Sequence, residues 1–364
     1  MKDKLGLEAV QNMAKALAMV LADFSKQQFI KQACDELEHY ELKQRVDHLI
    51  RVLAAYLPAD FTETAQVLVS LKKEDRAAHL LTGFTAWPLI DYVAVYGLDK
   101  PELALNVLKS LTSLFSAEFA VRPFIEQHFE LTYPILLQWT QDSDEHVRRL
   151  ASEGCRPRLP WAKQLTAIRQ NPSSNITLLE HLLDDDSPYV RRSVANNLND
   201  ISKDHPERVL AVCEQWLQGA SQQRRRLIHH ALRSLIKAGQ PAVFPVLGYS
   251  KQPAIAIDCF ELSKHHLKVG QTLNIKLRLR SETDRDQALV VDLQLFYKKA
   301  NGHHSAKVYK WKNIRLKPYE TMSLTKTQAF TKVTTRHYYP GEHYIALLIN
   351  GKVYQQLSFE LMSA

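Results

Sequence analysis

Three short stretches of this chain collect side chains that could do chemistry on a charged substrate. In VRRLASEGCRPRLPW, Arg149, Glu153 and Arg156 fall at i, i+4 and i+7, one face of a helix if that helix survives Gly154. Trp161 follows Pro160, where the next helix is expected to start. In VRRSVANNLNDI, Arg192, Asn196 and Asp200 again share a face, and in SAEFAVRPF Glu118 and Arg122 stand i, i+4. A carboxylate can stabilise a cation or take a proton from water. An arginine can grip an anion with its rigid fork, and an indole can offer its π-face to positive charge. The same residues also read as structure alone. Glu153 between two arginines, or Glu118 with Arg122, makes a surface ion-pair ladder worth only ~0.2–0.5 kcal/mol per pair. Trp161 could pack in the core, and Asp200 could cap the loop before His205-Pro206.

Other kinds of chemistry lack their residues. There is no glycine-rich phosphate loop, no HExxH, no GxSxG and no GxGxxG. The pairs His229-His230, His265-His266 and His303-His304 are adjacent, so their rings point to different sides of an element, and no cysteine lies at ligand spacing from them. No metal and no cofactor are expected. Cys34, Cys155, Cys213 and Cys259 are scattered, as isolated thiols of a reducing cytosol would be, so a cytoplasmic location is expected. No apolar run reaches the ~18 residues of a membrane span.

At 364 residues, 45% hydrophobic and 24% charged, the chain has the composition of two or three globular domains. Its net charge of +8 is uneven: residues 251–364 hold 18 Lys and Arg against 9 Asp and Glu, the first 250 hold 29 against 30. A basic C-terminal third suits a polyanion, or a β-domain kept soluble by lysine on its edges.

The elements that must position these residues change type along the chain. Residues 1–245 read as helix after helix; in ELKQRVDHLIRVLAAYL, Leu42, Val46, Leu49, Ile50 and Leu53 line one face. Prolines punctuate the segment at helix starts and turns. DSDEHVRRLASEG and DDSPYVRRSVANN superpose at an offset of 43 residues, Asp142 on Asp185 and Val147 on Val190. RRRLIHHAL follows as a looser copy. That period is the signature of HEAT repeats, in which the aspartate fits the turn before the second helix and the valine packs inward. Stacked pairs form an α-solenoid with a concave face. Residues 246–364 alternate apolar and polar in about seven runs, with Asn350-Gly351 as a hairpin turn, which predicts an immunoglobulin-like sandwich. KAGQPAVFPVLGYSKQP is the linker or docking segment.

Taken together, ELKQRVDHLIRVLAAYLPADF, FTAWPLIDYVAVYGLD, SAEFAVRPFI, VRRLASEGCRPRLPW, SPYVRRSVANNLNDISKDHPERVL and TTRHYYPGEHYIALLINGK resemble the DNA alkylation repair glycosylases of the HEAT-like-repeat superfamily. The resemblance is to the AlkC branch, which carries an appended immunoglobulin-like domain, and it covers nearly the whole chain. It implies a mainly α protein with that C-terminal β-sandwich, binding duplex DNA with alkylated bases, with no membrane and as a monomer. It also implies a monofunctional glycosylase for cationic bases such as 3-methyladenine and 3-methylcytosine. The branch's active-site group corresponds here to Glu118, Glu153, Trp161 and Asp200, with Arg149 and Arg156 beside them holding phosphates. Trp87 and Asp91, four residues apart in AWPLID, have the spacing of the tryptophan–aspartate pair of the related AlkD branch and could be its counterpart, second to the group above, or could serve to pack one repeat on the next.

The implied chemistry accounts for these residue types. An N3-alkylated base is already cationic and needs no acid to leave. The transition state gathers positive charge on the deoxyribose, which carboxylates and an indole face stabilise. No lysine stands out as a Schiff-base nucleophile, so hydrolysis without strand cleavage is expected. A solenoid face is shallow, so strong bending that exposes the lesion is expected in place of a deep base pocket. In the β-domain, the Lys298-Lys299 and His303-His304 loop and the stretch Thr334-Thr335-Arg336-His337 could close over the duplex, while Arg336, Tyr338 and Tyr339 could instead fix the sandwich corner. A non-catalytic scaffold predicts that Glu153 and Asp200 form exposed ion pairs, and a non-catalytic damage sensor would keep the basic contacts but lack activity.

Overall fold

The computed structural model describes residues 2–331 and 337–363. They divide into two compact units: Met1–Asp204 with Ala220–Ala231, and His205–Gly219 with Leu232–Ala364. The helices Pro206–Trp216 and Val243–Val246 are thereby grouped with the strands.

The first unit is helical. Six of its helices position the candidate site: α1 (Leu42–Ala54), α2 (Trp87–Tyr96), α3 (Arg122–Gln127), α4 (Glu145–Gly154), α5 (Pro188–Ile201) and α6 (Gln222–Ala231). Local chemistry sets their ends. Glu41 and Gln44 form a capping box at α1, whose Val46, Leu49, Ile50 and Leu53 are buried as the 3.6-residue spacing requires. Asp144 caps α4 by accepting from the His146 amide at 2.8 Å, and Ser187 caps α5 from the Tyr189 amide at 3.3 Å, with Pro188 in the first turn.

The 43-residue offset is written into the contacts. Asp142 Oδ1 accepts from the Asp144 amide at 2.9 Å, and Asp185 Oδ1 accepts from the Ser187 amide at 2.8 Å. The Asp142 carbonyl accepts from Arg148, and the Asp185 carbonyl accepts from Arg191. Val147 and Val190 are both buried. One aspartate thus builds the same turn twice, the side chain closing it locally and the backbone oxygen receiving the arginine one helical turn on. Successive copies then lie in register: α4 packs on α5 and α5 on α6.

The expected continuation of α4 to Arg156 does not occur. The helix ends at Gly154, where a Cβ would run into the Val121 side chain, and Cys155 caps it. The next helix begins at Thr166, not at Trp161. Pro157 and Pro160 lie in the segment between and carry no amide hydrogen to continue the ladder.

The second unit is a β-sandwich of eight described strands: β1 (Ile255–Leu262), β2 (His266–Lys268), β3 (Thr272–Ser281), β4 (Gln287–Lys298), β5 (His304–Leu316), β6 (Thr321–Ala329), β7 (Gly341–Ile349) and β8 (Lys352–Met362). One sheet runs β1-β3-β6 and the other β2-β8-β7-β4-β5. The eighth strand, beyond about seven expected, is the three-residue β2, paired parallel to β8. β3 alternates exposed and buried at every residue, and its Leu273, Ile275, Leu277 and Leu279 meet Leu289, Val291, Leu293 and Ile345 in a shared core. Asn350 and Gly351 both hold positive φ, the two-residue turn that matches strand twist. The Asn350 amide side chain accepts from the Val290 amide and donates to the Ser250 carbonyl, each at 2.7 Å. Residues 237–253 dock on this sandwich: a Cβ at Gly351 would strike the Gly239 carbonyl and the Phe244 ring.

Candidate functional site

Glu118, Arg149, Glu153, Arg156 and Asp200 form one continuous ion network with Lys203. Arg149 pairs with Glu118 and reaches Glu153 Oε1 at 3.4 Å. Arg156 donates to Glu153 Oε1 at 2.6 Å and to Asp200 Oδ2 at 2.8 Å. Lys203 Nζ closes the row on Asp200 Oδ1 at 2.8 Å. Ser193 Oγ donates to Glu153 Oε2 at 2.6 Å, and Ser116 Oγ to Glu118 Oε2 at 2.8 Å. Three carboxylates therefore face three cations, with Glu153 at 4% and Asp200 at 1% exposure. These are not the exposed ion pairs that a passive scaffold predicts. Removing one partner from such a buried pair leaves the other charge uncompensated.

The electrostatics run both ways. Burial lowers the affinity of Arg149 and Arg156 for their protons, but the attraction of Glu153, with Glu118 and Asp200, outweighs it and holds both guanidinium groups above the usual arginine value. Their tips are thus held by carboxylates, and Arg156 is 7% exposed. A phosphate-holding part for these two residues would require them to leave those pairs.

Glu118 and Arg122 do not pair as their spacing suggests. Glu118 sits in the turn before α3, so no helix joins the two, and Glu118 turns to Arg149. Arg122, 4% exposed, donates to the carbonyls of Gly154 and Arg156 at 2.8 Å each and of Lys163 at 2.5 Å. Burial pushes its guanidinium down to about 10. It ties both feet of the loop that carries Arg156 and Trp161. Trp161 itself is 58% exposed and holds φ 67°, a left-handed conformation rare for a bulky residue, with its carbonyl taken by Lys43 Nζ. It is neither a helix start nor a core residue.

Two family models match the chain: "DNA alkylation repair enzyme" over residues 115–235 and "YhaZ, C-terminal Ig-like domain" over 256–363. The YhaZ protein of Bacillus subtilis (strain 168) is 34% identical over 362 residues, 99% of each chain. The solved structure of Pseudomonas fluorescens alkylpurine DNA glycosylase AlkC, bound to DNA containing an abasic site analog, superposes with a TM-score of 0.87 at 36% identity, covering 99% of both chains. The chain belongs to the AlkC family of DNA alkylation repair proteins. Its fold is correspondingly a helical N-terminal region followed by an immunoglobulin-like sandwich.

Every member of the ion network of this AlkC-family chain lies inside the matched 115–235. Trp87 and Asp91 lie outside it. The structure joins them to each other, Trp87 Nε1 donating to Asp91 Oδ2 at 2.7 Å, and stacks Trp87 on Phe115 and Phe119 with centroids 5.5 and 5.4 Å apart. Phe119 neighbours Glu118 in sequence and lies under Lys43 Nζ, 5.6 Å from its centroid. Asp91 Oδ1 is enclosed without a hydrogen-bond partner, and burial pushes this carboxyl up to about 7 against the opposing effects of Trp87 and Lys43.

A carboxyl that holds its proton more tightly folded than unfolded weakens folding as pH rises from about 4 to about 7, because there the native state binds the extra proton. Asp91→Asn is therefore expected to raise the urea midpoint more at about pH 8 than at about pH 5. An equal change at both pH values would show that Asp91 does not titrate in that window.

Tyr189 also belongs to the site, its ring 5.1 Å from the Arg149 guanidinium. Its place just after the Ser187-Pro188 helix start, two residues before the Arg191-Arg192 pair, was the signal for it. Cys155, buried behind the network, is pushed up to about 12 by burial and stays a thiol. In the β unit, Lys299 and His303 close their loop by a backbone hydrogen bond at 2.8 Å, and Tyr338 packs on Phe330 and Tyr297. Thr334, Thr335 and Arg336 lie outside the described residues. Among the described residues, no three His, Cys, Asp or Glu side chains gather as a metal site, and no helix is long and apolar enough to cross a membrane.

Proposed function

We propose that the protein is a monofunctional DNA glycosylase that acts as a monomer on duplex DNA. It hydrolyses the N-glycosidic bond of cationic N-alkylated bases, 3-methyladenine and 3-methylcytosine. The observation that carries this reading is the buried, fully partnered carboxylate row, Glu153 and Asp200, fixed by Arg156 between them. Fixed negative charge of this kind needs no reorganisation when a cation develops in front of it.

In the reaction the bond between base nitrogen and C1′ breaks, and its electron pair neutralises the already cationic base, which leaves without an acid. Positive charge passes to the sugar, where Glu153 and Asp200 stabilise it. Water adds to C1′, and the proton it loses passes to bulk water. Both oxygens of Glu153 and of Asp200 are already engaged, which directs water orientation to Glu118. Only its Oε2 is engaged, and Oε1 has no hydrogen-bond partner among the described residues. The exposed indole of Trp161, on its tethered turn, supplies a π-face worth ~0.5–2 kcal/mol toward the cationic sugar or base. An indole presented outward suits a lesion met on a bent duplex, without a deep pocket for the base. No step requires a metal or cofactor.

Release of free base from DNA treated with a methylating agent tests the reading. The expected result is free methylated base in the supernatant with the sugar–phosphate strand intact until alkali is added. DNA binding without release at any salt concentration would reduce the protein to a damage sensor.

A further inference from the structure

The network at the site is electrically closed, with Glu118, Glu153 and Asp200 matched by Arg149, Arg156 and Lys203. A duplex brought to this row needs cations from elsewhere to hold its backbone. The same face of α5 that ends in Asp200 carries Asn196 one turn earlier and Arg192 two turns earlier, about 12 Å along the axis. There α5 and α6 flank a groove of about 280 Å³, lined by Arg191, Arg192, Gln223, Arg226 and His230 over a floor of Ala195 and Leu227.

No carboxylate lines this groove. Asp184 pairs with Arg224 and Asp185 with Arg148, so these two acids are engaged by other arginines, and Asp186 does not line the groove. Arg192 and Arg226 are exposed and have no ion-pair partner among the described residues. They stand on different helices, so the groove presents two guanidinium forks to one space. The Gln223 amide adds a donor between them. Guanidinium forks on two facing walls suit the two free oxygens of a phosphodiester, one fork to each.

We propose that the groove between α5 and α6 seats a backbone phosphodiester of the DNA strand, gripped by Arg192 from one wall and Arg226 from the other, a few nucleotides from the reacting sugar. The assignment rests on the reading of DNA as substrate, and it moves the phosphate grip from the ion-paired Arg149 and Arg156 to two unpaired arginines, Arg192 on the face of α5 that ends in Asp200 and Arg226 on α6. Contacts of this type carry no base information, so they fix register for any sequence.

The test is the salt dependence of binding to a duplex carrying an abasic-site analogue, followed by fluorescence anisotropy. Arg192→Gln with Arg226→Gln is expected to weaken binding about tenfold at 0.1 M salt and to shrink the slope of log K against log salt by about 1 to 2. The same charge loss at exposed Lys73 and Arg76, on the helices Phe61–Lys73 and Asp75–Leu80, is expected to leave the slope in place. All four positions are exposed, so a normal fold is expected and is checked by circular dichroism. An unchanged slope in the Arg192/Arg226 variant overturns the proposal, as does an equal loss in the Lys73/Arg76 control, which would reduce the effect to net charge. Failure of the glycosylase reading looks different: wild type would bind with its full slope yet release no base, and the groove would stand.

Discussion

Asp200→Asn and Glu153→Gln are each expected to cut base release from methylated DNA by about 10²–10³-fold, the scale seen when one preorganised electrostatic partner is removed from a transition state. Both changes preserve shape and remove one negative charge from the row proposed to face the developing sugar cation. Each also leaves Arg156 with one carboxylate where it had two, and breaking a buried pair costs about 3–5 kcal/mol of stability. The unfolding midpoint therefore has to be measured beside the activity, at a temperature well below the lower of the two. DNA affinity is expected to hold or rise, because a neutral amide no longer repels phosphate. Retained release in a folded variant would remove the carboxylates from the chemistry. Loss of binding together with release would assign them to substrate docking instead. Glu118→Gln separates the roles further: if Glu118 orients water, the rate falls while the pairing of Arg149 with Glu153 still holds the rest of the row.

Much of this arrangement is legible in the sequence because it follows from short-range rules. The match of Asp142 to Asp185 predicts two identical turns, and the structure draws both with the same backbone donors and the same returning arginine. The alternation in LNIKLRLRS predicts β3 residue for residue. The site acids came from helical spacing and a family resemblance, and the structure brings Glu118, Glu153 and Asp200 into one network. Spacing misled where a helix was assumed. Glu118 and Arg122 stand four apart, but Pro123 marks the first turn of α3, so Glu118 precedes that helix and is free to face α4. Arg156 joins Glu153 from beyond the helix end, through a turn that Gly154 and Pro157 impose. Arg122 has carbonyls for partners, and a backbone oxygen leaves no trace in residue types. The left-handed turn at Trp161 was hidden for the same reason: the tethers that sustain it come from Arg122 and Lys43, far away in sequence.

Those tethers make Arg122 the residue whose loss reaches furthest. Its fork spans three carbonyls, at Gly154, Arg156 and Lys163, that flank the loop from helix end to Trp161. Lysine keeps the charge but is a point donor on a flexible stem, so Arg122→Lys cannot serve all three oxygens. Two hydrogen bonds from a charged donor and the desolvation of the orphaned carbonyls together amount to about 3–5 kcal/mol, which is expected as a fall in the urea midpoint. The catalytic consequence is separate. With its carbonyl free, Arg156 shifts relative to Asp200, and the positive φ of Trp161 relaxes toward ordinary backbone. Base release under saturating enzyme is then expected to drop by at least about tenfold, while the salt slope of DNA binding stays at the wild-type value because no phosphate contact is touched. A structural role alone would lower stability and leave the rate of the folded fraction untouched. Wild-type release from folded Arg122→Lys would therefore limit Arg122 to holding the fold together, and Trp161 would have to keep its place by Lys43 alone.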